Sequence, residues 1–200
     1  QTEKTQYSGR PSVSQQPHRP QRGQSDAAQT TFENPGTPVI NTPTHELSMT
    51  VLMTPDMANF AGNVHGGTVL KFLDQVAYAC ASRYAARYVV TVSVDQVMFR
   101  QPIHVGELVT FLASINCTGT SSMEVGIKVV AENIRTQVRR HANSCFFTMV
   151  AMGEDGKPVA VPPLRPFGED EKRRWANALV RRQIRTELEQ RQRELRTAPP

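Results

Sequence analysis

The spacing of apolar residues divides this chain into three stretches of different character. Regular patterning is confined to roughly Leu47–Leu164, long enough to bury one domain's core. Within it, Glu46 to Met53 reads as a short strand, and a polar loop runs from Thr54 to His65. From Gly66 to about Arg87, the residues Val69, Leu70, Leu73, Val76, Ala77, Cys80 and Ala81 recur at helical spacings. Phe72 and Ala79 widen that surface, so a helix buried on most sides is expected. The period then changes. Val90, Val92 and Val94 alternate with Thr91, Ser93 and Asp95, and the pattern continues through Val97 and Phe99 to a stop at Pro102, predicting a strand of about ten residues. Three more strands are expected at Glu107–Cys117, Met123–Asn133 and Arg139–Gly153, separated by the turn-like segments Thr118–Ser121 and Ile134–Val138. One long helix with these strands indicates an α+β domain, an antiparallel sheet curled around the helix.

The two ends differ from this core. Residues 1–44 are rich in Gln, Pro, Ser, Thr and Arg without apolar periodicity, and are expected to be a disordered tail. Glu3, Asp26 and Glu33 within it speak against a transit peptide. The folded domain is expected at 45–166, followed by a helical extension at 167–200. In that extension, Trp175, Leu179, Ile184 and Leu188 stand at near-helical spacing behind an acidic start, predicting an amphipathic helix over Glu169–Leu195. Its apolar stripe is thin, suited to a solvated helix or to packing against a neighbouring subunit.

Charge and cysteine content narrow the class. Of the net charge of +5, the tail contributes +1, the core +1 and the extension +3. A nearly neutral core is not the basic platform of a nucleic-acid binder. No run of 18 apolar residues predicts a membrane span. Cys80, Cys117 and Cys145 lie in apolar surroundings without metal spacing, which suits a reducing, cytoplasmic compartment; Cys80 reads as a small hydrophobe. His104 and His141 read as surface or packing residues, and no metal or other cofactor is expected.

Candidate chemistry is concentrated between Asp56 and Ala77. A loop holding Asn59, Asn63 and His65 enters the helix through Gly66 and Gly67, and the helix carries an acid, Asp74, among apolar neighbours. A carboxylate so placed needs a partner, a shifted pKa or a chemical role. The glycines free the amides of the helix start to face a ligand. Spacing alone leaves Asp74 open between a solvated acid and a general base, with His65 as a candidate partner. Asp95 reads as lying on the wet side of its strand. No Gly-x-Ser-x-Gly run is present, which excludes a nucleophile-elbow serine hydrolase.

The segments NFAGNVHGGTVLKFLDQVAYACASR, VSVDQVMFRQPIHVGELV and HANSCFFTMVAMGEDGKPVAVPPL, in that order over roughly His45 to Leu164, resemble the hotdog-fold acyl-CoA thioesterases, in particular the brain-type cytosolic acyl-CoA hydrolases and their bacterial single-domain relatives. The resemblance implies a hotdog of about five to six strands and hydrolysis of acyl-CoA to free fatty acid and coenzyme A. It implies a catalytic pair of Asn59 and Asp74, Asp74 acting as general base or as nucleophile. The amides of Gly66 and Gly67 would then form an oxyanion hole, with His65 and Asn63 in support. Coenzyme A phosphates call for cations at the groove mouth, where Arg100, Arg139 and Arg140 are the candidates. Phe60, Phe72 and Met98 are candidates to line the acyl tunnel. The family pairs hotdogs so that the Asn of one faces the Asp of the other, which implies a homodimer with shared sites, assembled further as a trimer of dimers. Two other readings stay open on the sequence: a hotdog that senses acyl-CoA or a nucleotide without turnover, and a hotdog dehydratase or hydratase using His65 with an acid.

Overall fold

The alternation seen in the sequence becomes one five-stranded antiparallel sheet in a computed structural model of the chain, which describes residues 44–197. The expected polar tail lies outside the described residues. In chain order the elements are β1 (Glu46–Leu52), a 3-10 turn at Pro55–Met57, α1 (Gly66–Ala85), β2 (Tyr88–Val94), β3 (Glu107–Thr118), β4 (Ser122–Asn133), β5 (Arg139–Met152) and α2 (Gly168–Thr197). The strands lie in the order β1-β3-β4-β5-β2, every neighbouring pair antiparallel, so β1 and β2 are the edges. This is the hotdog arrangement, with α1 enclosed by the curled sheet.

Period-two burial makes the inner face. Val109, Phe111, Ala113 and Ile115 of β3, Val125, Ile127 and Val129 of β4, and Cys145, Phe147, Met149 and Ala151 of β5 are all buried against α1. From the helix come Val69, Leu73, Val76, Ala77, Cys80, Ala81 and Ala85, one face of a 3.6-residue period. Phe72 meets Phe111 with ring centroids 5.8 Å apart. The expectation of a helix buried on most sides is corrected here. Leu70, Asp74 and Tyr78, four residues apart, form an exposed line along α1, and Ala79 is exposed too.

Two further expectations change. The strand expected to reach Phe99 ends at Val94, after a bulge between Thr91 and Ser93; only the Asp95 amide still bonds to the sheet, at Phe146 O (2.9 Å). Val97, Met98 and Phe99 are three consecutive apolar residues, and the chain leaves the sheet there: Val97 packs on the core while Met98 and Phe99 are exposed. Helix α2 leaves its apolar stripe uncovered within the chain. Trp175, Leu179, Ile184 and Leu188 are all exposed, and the helix is attached to the outer sheet face by the small buried Ala178 and a row of arginines. Arg181 and Arg185 both reach the buried carboxylate of Glu124 (2.6 and 3.0 Å), Arg182 reaches Ser122, and Arg181 lies 3.6 Å from the centre of the Phe146 ring. Asp95, expected on the wet side of its strand, is half-buried and accepts from Arg185 (2.8 Å).

All three cysteines are buried and free. Burial pushes the thiols of Cys80 and Cys145 up to about 12, and that of Cys117 upward. Since the thiolate is the reactive form, the folded protein should take up no iodoacetamide at about pH 8, and three equivalents once unfolded. Mass spectrometry of the alkylated protein checks this.

Candidate active site

The loop before α1 is organised by the side chain of Asn59. Its Oδ1 accepts from the amides of Ala61 (2.9 Å) and Asn63 (3.1 Å), while its own amide donates to Asn63 O (2.6 Å). With Oδ1 so occupied, Nδ2 is the side chain's donor and has no acceptor among the described residues. Gly62, at φ +79°, lets the loop close, because an L side chain there would be strained. Asn63 holds the loop through its backbone. Between them, Phe60 stands fully exposed.

His65 ends the loop as the N-cap of α1: its Nδ1 accepts from the Gly67 amide (3.0 Å) and its carbonyl from Thr68 and Val69. This requires a neutral ring with its proton on Nε2. The amide of Gly67 is therefore taken up by the cap. The Gly66 amide meets no acceptor among the described residues and lies at the positive end of a 20-residue helix, with Phe99 3.7 Å from where a Cβ would stand.

Two turns along the exposed line of α1, Asp74 Oδ1 accepts from Thr91 Oγ1 on edge strand β2 (2.7 Å). Oδ2 has no partner among the described residues, so the carboxylate is oriented by one oxygen and free at the other. Thr91 was not singled out in the sequence, where it is one polar residue in an alternating strand. The contact spans 17 positions, and the hint available was only that β2 directly follows α1. No hydrogen bond joins Asn59 to Asp74 within the chain.

Beside Asp74 on the same line of α1, Leu70 and Tyr78 are exposed, and Tyr78 meets Tyr88 edge-to-face with ring centroids 6.3 Å apart; Val92 and Val94 of β2 are exposed as well. Two concavities lie elsewhere. A groove of about 670 Å³ runs between α2 and the outer sheet face, past Leu112, Lys128, Phe146 and Arg174, and a smaller one lies by Arg182; neither includes Asn59 or Asp74.

The expected phosphate ligands separate. Arg139 pairs with Glu132 (2.7 Å), and Arg140 is held by Glu107 and the Pro102 carbonyl, while Arg100 is exposed without a partner among the described residues. Burial would push the Glu107 carboxyl up, but hydrogen bonds from Arg140 and the His104 amide outweigh it and hold the group below its ordinary value. Among the described residues one group of potential metal ligands comes together, His45, Glu46 and Glu171 at the foot of α2. There Glu171 pairs with His45 (3.1 Å) and Glu46 with Arg174 (2.9 Å).

Comparison with known proteins gives concordant results. Residues 61–138 match the family model described as Thioesterase superfamily. The structure resembles an apo-hexameric acyl-CoA thioesterase, with a TM-score of 0.69 and 36% identity over 71% of this chain and 91% of that one. It also resembles the acyl-CoA hydrolase from Staphylococcus aureus solved with butyryl coenzyme A, coenzyme A and coenzyme A disulfide (TM-score 0.68, 28% identity, 76% and 95% covered). Structures of that hydrolase exist with single alanine substitutions at an asparagine, at an aspartate fifteen positions later, and at a threonine seventeen positions after the aspartate. Among sequences, Protein VdlD of Helicobacter pylori (strain ATCC 700392 / 26695) is 52% identical over 141 residues, 70% of this chain and 80% of that protein. Identity at that level across most of a relative's length, together with the same fold around the same loop and helix, means that the chain belongs to the thioesterase superfamily.

Proposed function

We infer that this protein hydrolyses acyl-CoA thioesters to a free carboxylic acid and coenzyme A, with Asp74 as general base. The observation that carries this reading is the Thr91–Asp74 hydrogen bond on an exposed line of α1, about two turns beyond an unpaired helix-start amide. Asn59, Asp74 and Thr91 also stand at the spacings of the three residues substituted in the Staphylococcus enzyme.

In this mechanism the free Oδ2 of Asp74 takes a proton from water as the water oxygen attacks the thioester carbonyl. The Gly66 amide, backed by the helix dipole, stabilises the developing oxyanion. Collapse of the tetrahedral intermediate breaks the C–S bond, and the departing thiolate takes up the proton. Asn59 Nδ2 supplies a further donor to the water or the carbonyl. Since the His65 lone pair is engaged by the Gly67 amide, the hydratase reading, which needs that imidazole, is disfavoured.

The edge strand β2, the exposed apolar rows around Asp74 and the fully exposed Phe60 support pairing with a second copy, whose Asn59 would complete the site at Asp74. The hexameric relatives support a trimer of such dimers. No described helix is long and apolar enough to cross a membrane, and the unpaired buried cysteines support a reducing, cytoplasmic setting.

The test is release of free thiol from a series of acyl-CoAs, beginning with butyryl-CoA. Turnover of at least one chain length is expected; coenzyme A binding with no turnover of any would establish a sensor instead. Within the site, Thr91→Val should lower kcat by about tenfold with KM nearly unchanged, because it removes only the group that orients the base.

A further inference from the structure

The loop that carries Asn59 depends on a buried ion pair remote from it in sequence. Glu107, at the start of β3, is only 5% exposed, and both its oxygens are held by Arg140 of β5 (2.5 and 2.7 Å). A buried pair of this kind adds little net stability over an apolar pair of equal volume, so its geometry is the informative part. The same guanidinium donates to Pro102 O (2.7 Å), and Glu107 Oε2 accepts from the His104 amide (2.9 Å). The pair therefore grips the segment Pro102–Glu107 near both of its ends.

That segment supports the catalytic loop from outside. Ile103 O accepts from the Val64 amide (2.8 Å), and Asn63 and His104 form an isolated antiparallel bridge. Asn63 in turn donates to Asn59 Oδ1 and accepts from the Asn59 amide. Every link from Arg140 to the Asn59 side chain is thus a hydrogen bond or a backbone bridge, and the direction of Nδ2 depends on where Asn63 sits.

We propose that Glu107 and Arg140 form a positioning pair for Asn59, acting through the Pro102–His104 segment; this rests on Asn59 being part of the hydrolytic site. A lysine at 140 offers a single ammonium and cannot reach two carboxylate oxygens and a carbonyl as the planar guanidinium does. A displacement of about 1 Å at a catalytic donor is enough to cost up to a hundredfold in rate.

The experiment measures kcat, KM and Tm for Arg140→Met, Arg140→Lys and Glu107→Gln, the last keeping the side-chain shape should the others fold poorly. It then repeats Arg140→Met in an Asn59→Ala background. In the native background, kcat should fall about ten- to a hundredfold with KM within about twofold, and Arg140→Lys should not restore it. In the Asn59→Ala background, Arg140→Met should still lower Tm but leave kcat unchanged, since its target is gone. Arg181→Met, which removes one of the two arginines on the buried Glu124, should lower Tm without lowering kcat. Equal losses of kcat in both backgrounds, a kcat loss that follows Tm in all variants, or full activity of the Arg140 variants below their Tm would overturn the proposal. Full activity of Asn59→Ala alone would overturn it by a separate route, by removing Asn59 from the site.

Discussion

Replacement of Asp74 by alanine should reduce kcat on the preferred acyl-CoA by at least about a hundredfold, the lower end of what a general base contributes. The protein should remain folded. Asp74 is exposed and its one hydrogen bond among the described residues is to Thr91, so the stability at stake is about 1 kcal/mol. Affinity for coenzyme A should hold, because the carboxylate acts on the attacking water and not on the nucleotide. Asp74→Asn makes the test sharper. It keeps the shape and the hydrogen bond from Thr91 but cannot accept a proton, so it should be nearly as inactive as alanine. Steady-state kinetics with a parallel melting curve and coenzyme A titration separate these effects. Near-normal turnover of either variant would remove Asp74 from its assigned role.

A second large effect is expected far from the site. Arg181→Ala with Arg185→Ala should destabilise the folded protein by about 3 kcal/mol or more. The reason is the Glu124 carboxylate, 2% exposed on the outer face of β4, which would keep only the Asn116 amide (3.3 Å). For a domain of this size the loss amounts to a Tm drop on the order of 10 °C. Adding Glu124→Gln to the double variant should recover part of it, because the cost lies in the uncompensated charge. If Tm stays put, α2 is not anchored by these arginines. The Glu107–Arg140 pair behaves differently toward acid. Its carboxyl lies below its unfolded value, so its contribution is complete above the ordinary carboxylate range and is lost as pH falls through the lowered folded pKa.

Strands β3 to β5 and helix α1 were legible because one-sided burial writes a period of 2 or 3.6 into the sequence, and Val109 to Ile115 or Val69 to Ala81 carry it without interruption. Other features left no local trace. The exposure of Leu70 and Asp74 cannot be read from a helix with so many apolar positions, since an apolar residue awaiting a partner subunit looks the same as one in the core. Thr91 has the pattern of a wet-face strand residue, and only the fold brings it to Asp74. The arginines of α2 read as a solvated charged helix, while their partners Glu124 and Asp95 lie more than fifty positions away. Arg140 at a strand end looked like a phosphate ligand for the same reason, with Glu107 33 residues distant.

Mixing two inactive variants tests whether the hydrolytic site is completed by two copies of the chain. Asn59→Ala and Asp74→Ala chains, denatured together and refolded into mixed assemblies, should regain part of the thioesterase activity that each lacks alone, because some dimers then hold one intact pair. Confirmed mixed assemblies with no recovered activity would contradict the shared site and assign Asn59 and Asp74 to work within one chain.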